Sequence, residues 1–340
     1  MIAERLTAQL LAGPPARSPL AVVQRLLAVQ GQDLRGARLA VRARSEGLSV
    51  ADLDRALSEE RSLLITWLNR GTLHLVASED YPWLQALTTP PLLTGNARRL
   101  AQEGVTPAAA DRGVAAIERA LTEDGPLTRD ELRERVAAAR VPTQGQALVH
   151  VLFLAALRGV AVRGPVAGKQ HAYALVRDWL GEPAAVDRDR ALAELARRYL
   201  AGHGPADERD LARWAGLPLR DARAGLTAIA SELTEREDGL VDLARRAPAS
   251  GPPPPRLLGA FDPLLLGWCS REAILGSNAG SVLAGGVFRP FALIGGRAVA
   301  TWRLAGDSVR LEPFAPLRTV DRAALATDGD DVVRYLGLMK

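Results

Sequence analysis

The sequence predicts an α+β fold made of three tandem winged-helix domains followed by a C-terminal antiparallel β-barrel. Helix-like stretches end in a strand–turn–strand pattern three times within the first 247 residues. Each such group corresponds to the helices and the two-stranded wing of a winged helix. After a proline-rich linker, short apolar runs separated by Gly and Pro are typical of a small barrel.

The first predicted domain covers residues 1–95. Apolar residues recur at helical spacing in four stretches, at 2–12, 19–29, 34–45 and 50–59. The pattern then changes to two β-rich runs, residues 63–68 and 72–76, which are separated by Asn69-Arg70-Gly71. A short break of this composition between two β-rich runs predicts a hairpin.

The same order of elements recurs twice. The second predicted domain, residues 96–182, has helices near 107–121, 128–139 and 143–158, then strands at 160–163 and 171–176 joined by a turn at 164–168. The third, residues 183–247, has helical stretches at 188–200, 206–214 and 219–230, then a hairpin over Asp238-Gly239. The repeat lies in the order of elements and not in residue identity.

The fourth predicted domain, residues 256–340, follows a linker at 247–255 that contains four consecutive prolines. A proline-rich chain is extended and forms few backbone hydrogen bonds. Apolar runs between residues 264 and 314 predict the strands of the barrel. A last helix at 320–336 is expected to pack on them.

Composition restricts the classes of function. The chain of 340 residues has a formal net charge of +4, and its only lysines are Lys169 and Lys340. Arginine suits bidentate phosphate contacts, although a GC-rich genome explains most of this bias. A lone cysteine, Cys269, excludes an intrachain disulfide, and its apolar surroundings predict a buried thiol. We expect no metal and no cofactor, because the histidines are scattered and no phosphate-binding loop or nucleophile elbow is present.

The N-terminal stretch lacks the apolar centre of a secretory signal. No apolar run approaches the ~18 residues of a membrane span. We therefore expect a cytoplasmic, nucleoid-associated protein without a membrane partner.

Residues 29–33, Val29-Gln30-Gly31-Gln32-Asp33, carry two amides one residue apart at a predicted helix junction. Each amide offers a donor and an acceptor without charge, so the pair could hold a water molecule against a cationic sugar. On spacing alone, solvated or capping glutamines are the more common explanation. The catalytic hypothesis requires both amides to lie exposed in a basic channel. Asp33 is an alternative base, but the helix N-cap is its simpler role.

Seven further side chains are candidate DNA contacts, because wings commonly lie along the duplex backbone. They are Arg70, Thr72 and His74 on the first wing, Arg163, Lys169 and His171 on the second wing, and Arg271 in a barrel loop. The plainer alternatives are solvation for Arg70 and a structural role for His74, and the second wing is a phosphate-binding edge of low specificity.

Five segments together match one known pattern: Gln30-Gly31-Gln32, residues 67–76, His203-Gly204-Pro205, Phe261-Asp262-Pro263 and residues 296–303. In these segments the chain resembles a family of bacterial winged-helix DNA glycosylases of the azinomycin-resistance (AlkZ) type. The resemblance runs from about residue 15 to residue 336. It implies three winged helices and a barrel arranged as a C-shaped clamp, acting as a monomer on double-stranded DNA that carries alkylated purines.

The resemblance also implies an activity. It is monofunctional, metal-independent excision, without lyase activity, of bulky or interstrand-crosslinked N7-alkylguanine, with a role in DNA repair or in self-resistance to a genotoxic natural product. Gln30 and Gln32 correspond to the two catalytic glutamines of the family, and Gly31 replaces the hydrophobic residue between them. Lysine-based glycosylase chemistry is disfavoured, because Lys169 lies in a wing and Lys340 at the terminus.

The residues suit this chemistry. N7-alkylation makes guanine a cationic leaving group, so the enzyme need only orient water and stabilise an oxocarbenium-like sugar. We assign Gln32 to hold the water and Gln30 to orient it or to contact the deoxyribose, with the reverse assignment open. The alternative function is a noncatalytic winged-helix DNA-binding regulator, which would dimerise on a palindromic site and leave the DNA unchanged.

Overall fold

The structure is a computed structural model that describes residues 1–168, 170–182, 185–249 and 251–338. It has the predicted α+β composition. The chain divides into two compact units: unit 1 consists of Met1–Leu53 and Leu192–Lys340, and unit 2 of Asp54–Ala191. None of the helices formed by the described residues combines the length and apolar content that a bilayer-spanning helix requires.

The α-helices, in chain order, are α1 Ile2–Ala8, α2 Pro19–Leu26, α3 Leu34–Ala43, α4 Val50–Ser58, α5 Tyr81–Thr88, α6 Pro90–Gln102, α7 Pro107–Asp124, α8 Arg129–Ala138, α9 Ala147–Leu157, α10 Val176–Leu180, α11 Arg188–His203, α12 Glu208–Ala215, α13 Leu219–Ala228, α14 Glu272–Leu275, α15 Ala279–Val282 and α16 Thr319–Tyr335. The strands are β1 Val29–Gln30, β2 Leu63–Leu68, β3 Thr72–Ala77, β4 Ala161–Ala167, β5 Gln170–Leu175, β6 Leu233–Glu235, β7 Val241–Leu243, β8 Arg256–Leu258, β9 Leu283–Ala284, β10 Val287–Phe288, β11 Phe291–Ile294, β12 Arg297–Ala305 and β13 Ser308–Pro313.

In unit 2, the first two predicted hairpins form one antiparallel sheet. β2 and β3 pair from Leu63↔Ala77 to Leu68↔Thr72. β4 joins β2 at Ile65↔Arg163 and also pairs with β5, so the strand order within this unit is β3-β2-β4-β5. α9 packs against β2 and β4, and α7 packs against β5. Both predicted wings are therefore present as hairpins, and they share a sheet, which the separate repeats did not predict.

The second hairpin differs from its prediction in length. β4 continues to Ala167, with an irregularity in its pairing between Arg163 and Val166, whereas the sequence predicts a turn over residues 164–168. Gly164 lies in this irregular segment, and a Cβ there would meet the Trp179 ring at 2.4 Å. Glycine thus lets the backbone pass close to the indole while the strand continues.

In unit 1, the predicted third hairpin is confirmed. β6 and β7 pair antiparallel from Leu233↔Leu243 to Glu235↔Val241. The turn between them contains Gly239 at φ 76°, a conformation that suits glycine. Of the residues before it, α12 and α13 pack against each other, as the predicted helical stretches require.

The predicted C-terminal barrel is wrong for the described residues. β8, β11, β12 and β13 form an open antiparallel sheet in the order β13-β12-β11-β8. The remaining short strands, β9 and β10, pair with each other and do not close the sheet. α16 packs against β8 and β13, as predicted for the last helix. A helix covering the sheet buries its apolar side without barrel closure.

The core of this part of unit 1 also includes α3. Leu39 of α3 is buried in one cluster with apolar residues of the sheet and of α16, which are Leu257, Ala292, Ala300, Trp302, Leu325 and Val332. The N-terminal segment and the C-terminal sheet therefore share a hydrophobic core. The prediction of four separate domains, at 1–95, 96–182, 183–247 and 256–340, stays a prediction.

Two local predictions need correction. α2 ends at Leu26 and not at residue 29, because Leu27 has φ 65° and turns the chain out of the helix. Cys269 is exposed rather than buried, although Trp268 before it is buried. Apolar composition does not show which residues of an irregular segment face solvent, so it wrongly predicts burial for this thiol.

Candidate functional site

The two glutamines lie in the connection between α2 and α3. Ser18 caps α2 by accepting a hydrogen bond from Ala21 N at 3.1 Å. After the turn at Leu27, Gln30 lies in the short strand β1 and is only 7 % exposed. Gln32 lies in a bend just before α3 and is exposed. The expectation that both amides are exposed is therefore wrong for Gln30, so the hypothesis of two exposed catalytic amides fails in that form, and Gln32 alone of the pair can face a substrate directly.

Asp33 has the structural role that the sequence predicts. Its side-chain oxygen accepts a hydrogen bond from Gly36 N at 3.0 Å, which makes it the N-cap of α3. An N-cap residue satisfies one of the free amides of the first helical turn. This bond fixes the start of α3 directly after Gln32, and it leaves the glutamines as the uncharged polar groups of the connection.

α3 contacts the segment after β8 through backbone atoms. A Cβ on Gly36 would lie 2.2 Å from Ala260 O and 3.2 Å from Ala260 C. Gly259 makes a similarly close approach from the other side, since its Cβ would lie 3.0 Å from Gly36 Cα. Only glycine permits this spacing. The first turn of α3 is thus held at a fixed distance from the C-terminal part of unit 1.

A buried ion pair holds the end of the same helix. Arg44 and Asp262 have no exposed side-chain surface, and the guanidinium donates two hydrogen bonds to the carboxylate, of 2.9 and 2.7 Å. Arg44 also donates to Gln9 Oε1 at 2.8 Å, and Asp262 accepts from Leu264 N at 2.9 Å. The Phe261-Asp262-Pro263 motif therefore supplies the carboxylate that fixes α3.

A second buried pair lies two residues earlier. Arg42 donates to both carboxylate oxygens of Asp328 in α16, at 2.9 and 3.1 Å, and to Leu257 O at 2.9 Å. Asp328 also accepts from Leu257 N at 2.6 Å. These two arginines serve packing and not phosphate binding. Sequence analysis missed both pairs, and the only available signal was arginine at positions that the helical pattern buries.

The His203-Gly204-Pro205 motif belongs to an aromatic cluster of unit 1. His203 is fully buried, its ring stacks on Tyr199 at 4.9 Å, and it lies 5.8 Å from the Trp268 ring. Burial lowers the pKa of His203 to about 3, so the imidazole is neutral. Arg5 packs over Trp268 at 4.5 Å and donates to Pro205 O at 3.0 Å. The motif is therefore structural.

Of the candidates on the first wing, the structure exposes Arg70. Arg70 lies in the turn of the hairpin, and Thr72 is half-buried at the start of β3. His74 is 2 % exposed, with Nδ1 2.9 Å from Thr72 O. Burial and repulsion from Arg70 lower the pKa of His74 to about 3. A neutral, buried imidazole does not suit a phosphate contact, so the prediction for His74 is not supported.

On the second wing, two candidates point into unit 2. The Arg163 guanidinium lies between the rings of Trp67 and Tyr173, at 4.7 and 4.9 Å from their centroids. His171 is 8 % exposed, with Nδ1 3.4 Å from Gly164 O. Both side chains pack within the unit: Arg163 is on β4, which pairs with β2 and β5, and His171 is buried on the neighbouring strand β5. Lys169 lies outside the described residues.

Arg271 is half-buried in unit 1. Its Nε donates to Leu265 O at 2.5 Å, and its guanidinium lies 5.2 Å from the centroid of the Phe288 ring. Burial lowers the pKa of this guanidinium. The residue therefore fixes the loop after Trp268, and part of it faces solvent.

Comparison with known proteins identifies the family of the chain. The sequence pattern of the family described as DNA glycosylase AlkZ-like matches residues 23–335. The chain belongs to this family. It is 30 % identical to the Interstrand DNA cross-link repair glycosylase of Streptomyces sahachiroi, over all of this chain and 96 % of the relative. The solved structure of Streptomyces sahachiroi DNA glycosylase AlkZ is similar with a TM-score of 0.82 and 28 % identity, over 99 % of this chain and 96 % of that one.

The family expected from the sequence is thereby confirmed, and the chain is a DNA glycosylase by family. The α+β fold of the AlkZ-like relatives extends over nearly the whole chain.

Proposed function

We propose that this AlkZ-like protein is a monofunctional DNA glycosylase that hydrolyses the N-glycosidic bond of bulky or crosslinked N7-alkylguanine in duplex DNA. The observation that carries the proposal is the exposed amide of Gln32 at the start of α3, a helix held by a backbone contact and two buried ion pairs. Catalytic groups act best on elements that hold them rigidly. The name of the Streptomyces relative, a crosslink repair glycosylase, supports the substrate class.

The reaction requires little acid–base assistance. Water adds to C1′ of the deoxyribose while the bond from C1′ to N9 breaks, and the bonding electrons neutralise the cationic guanine ring. The water proton is released to solvent. An amide oxygen accepts a hydrogen bond from the water without the desolvation cost of a buried carboxylate. Gln32, the exposed member of the pair, takes this role in our proposal.

The burial of Gln30 suggests a different role for it. Two residues apart, the Cα atoms of Gln30 and Gln32 are separated by at most ~7 Å. An amide with 7 % exposure has little surface for a substrate, but its surroundings restrict its orientation. We propose that Gln30 positions the water or the Gln32 amide.

The finer predictions of fold, partner and location are part of the same proposal. Each helix–hairpin group is taken as a winged-helix domain, with the exposed Arg70 on the first wing as a phosphate contact. The substrate is double-stranded DNA with alkylated purines, bound by a monomer in the cytoplasm near the nucleoid. No Schiff-base lyase step is proposed. A dedicated self-resistance role would require preference for one natural-product adduct over simple methyl lesions.

The test is excision from duplexes that carry 7-methylguanine, a bulkier N7 adduct or an interstrand crosslink, followed by alkali to cleave abasic sites. Gln32→Ala should lower the single-turnover rate at least ~10²-fold and leave DNA affinity unchanged, if the amide orients the attacking water. Gln102→Ala is the matched control, because Gln102 is an exposed glutamine of α6 in the other unit.

Two outcomes would contradict the proposal. If none of the three substrates yields abasic product, the noncatalytic regulator replaces the enzyme. If Gln32→Ala excises at the rate of Gln102→Ala, Gln32 has no part in the reaction.

A further inference from the structure

Unit 1 contains a cavity of about 710 Å³ beside α2, the helix that leads to the glutamines. Its walls come from α1, α2, α11, residues 231–232 before β6, and the end of β7 with the segment after it. Four arginines line it, Arg25, Arg197, Arg245 and Arg246, and the carboxylate among the lining residues is Glu232. The positive charge exceeds the negative charge, so the cavity favours an anion.

Two of these arginines are already neutralised. Arg197 donates to both oxygens of Glu232, at 2.8 and 2.7 Å, and the same contact raises its pKa. Arg246 donates to both oxygens of Asp242, at 2.7 and 2.8 Å, and also to Ala201 O at 3.2 Å. Their donors and the Glu232 oxygens are therefore used within the protein.

The other two arginines are not neutralised. Within residues 1–168, 170–182, 185–249 and 251–338, neither Arg25 nor Arg245 forms a hydrogen bond or an ion pair, and both are exposed. Burial of part of the side chain, and then repulsion from the neighbouring Arg246, lower the pKa of Arg25. Two guanidiniums at one cavity provide the planar donors that bind phosphate oxygens bidentately.

The position of Arg25 along the chain indicates the source of the anion. Arg25 precedes Gln30 by five residues, so their Cα atoms are at most ~18 Å apart. Base pairs in duplex DNA follow each other by about 3.4 Å along the axis. A phosphate at Arg25 is therefore within a few nucleotides of one at the glutamines.

We infer that Arg25 and Arg245 form a phosphate-binding site, which holds a backbone phosphodiester of the DNA strand near the excised nucleotide. Ser231, which also lines the cavity, adds a neutral hydroxyl donor. The placement near the excised nucleotide rests on the proposed function, whereas the binding of a DNA phosphate does not require excision. Free inorganic phosphate has the same chemistry and is the competing source.

The experiment measures affinity for a fluorescent undamaged duplex between 50 and 200 mM salt, by anisotropy, for wild type, Arg25→Gln, Arg245→Gln and the double variant. Each phosphate contact contributes about 0.9 to the slope of log K against log salt. We expect each single variant to make this slope shallower by about 0.9. The loss of affinity between 50 and 200 mM salt should then be roughly 3.5-fold smaller than for wild type. The slope of the double variant should be no shallower than that of either single variant, if the two side chains share one phosphate.

Arg310→Gln is the charge-matched control, because Arg310 is an exposed arginine of β13 that is not among the residues lining the cavity. Its slope should equal that of wild type. Slopes that fall equally in Arg25→Gln and Arg310→Gln would show a general charge effect and overturn the site.

A second arm separates the two sources of phosphate. Thermal unfolding is followed with inorganic phosphate or chloride at equal ionic strength. Stabilisation of wild type but not of Arg25→Gln by phosphate, together with unchanged DNA slopes, would assign the site to free phosphate and overturn the DNA contact. Because neither arm measures excision, a change in slope supports the inference even where no abasic product forms. An inactive protein with an unchanged slope refutes both proposals.

Discussion

One added methyl group at Gly36 tests whether the docking of α3 matters for catalysis. A Cβ there would lie 2.2 Å from the carbonyl oxygen of Ala260, whereas ordinary contact begins at 3.4 Å. The atom that this Cβ would meet belongs to the backbone of Ala260, so no side chain can move aside to relieve the contact. Gly36→Ala must displace the first turn of α3, and Gln32 with it, by about 1 Å, and a displacement of that size can lower a rate ~10²-fold.

The effect of Gly36→Ala on the free energy of unfolding should be modest. Overpacking costs about 1–3 kcal/mol, and the higher helix propensity of alanine offsets about 1 kcal/mol of it. We therefore expect at most ~2 kcal/mol of destabilisation in urea unfolding. The assay is single-turnover excision under conditions where the variant is folded, together with anisotropy to show that DNA affinity is retained.

Gly95→Ala is the matched control. Gly95 lies inside α6, and a Cβ there meets nothing within 4 Å. It should keep the wild-type rate and gain up to ~1 kcal/mol from helix propensity. If Gly36→Ala behaves like Gly95→Ala in both assays, the backbone contact does not position Gln32.

Two further predictions concern stability. Asp262→Ala leaves the Arg44 guanidinium buried without its carboxylate and should cost about 3–5 kcal/mol in urea unfolding, whereas Arg44→Met with Asp262→Leu should cost much less; equal losses would contradict the pairing. His74 and His203 have pKa values near 3, below their ordinary 6.5, so the unfolded chain binds more protons than the folded chain between these values. Stability should fall as the pH is lowered through that window, by up to ~1.4 kcal/mol per pH unit for each histidine, and less steeply in His203→Gln. Equal unfolding free energies at pH 7 and pH 5 would refute this.

Local signals predicted the local structure. The hairpin over Asn69-Arg70-Gly71 forms because the turn residues accept positive φ, with Asn69 at 49° and Gly71 at 81°. Asp33 caps α3 because its acceptor is three residues from the amide that it binds. Such features depend on a few neighbouring residues and are therefore readable from one sequence.

Long-range features were not predictable in this way. Arg44 and Asp262 are 218 residues apart, and nothing near either residue specifies the other. The end of α2 at Leu26 and the burial of Gln30 likewise follow from the positive φ of the buried Leu27, a conformation that its neighbours in the sequence do not indicate. The barrel was predicted from the number of apolar runs, but strand pairing, which composition does not encode, decides whether a sheet closes.

Unit 1 is built from two separate stretches of the chain, and this has a consequence for its synthesis. Its α3 arrives early from the ribosome, yet the carboxylates of Asp262 and Asp328 that neutralise Arg44 and Arg42 are translated more than two hundred residues later. A nascent chain that stops at the proline-rich linker therefore carries both glutamines. It lacks the two carboxylates that hold α3, the helix that follows the glutamines. Competence for base excision should consequently appear only when the final helix has left the exit tunnel, so premature termination yields no partly active fragment.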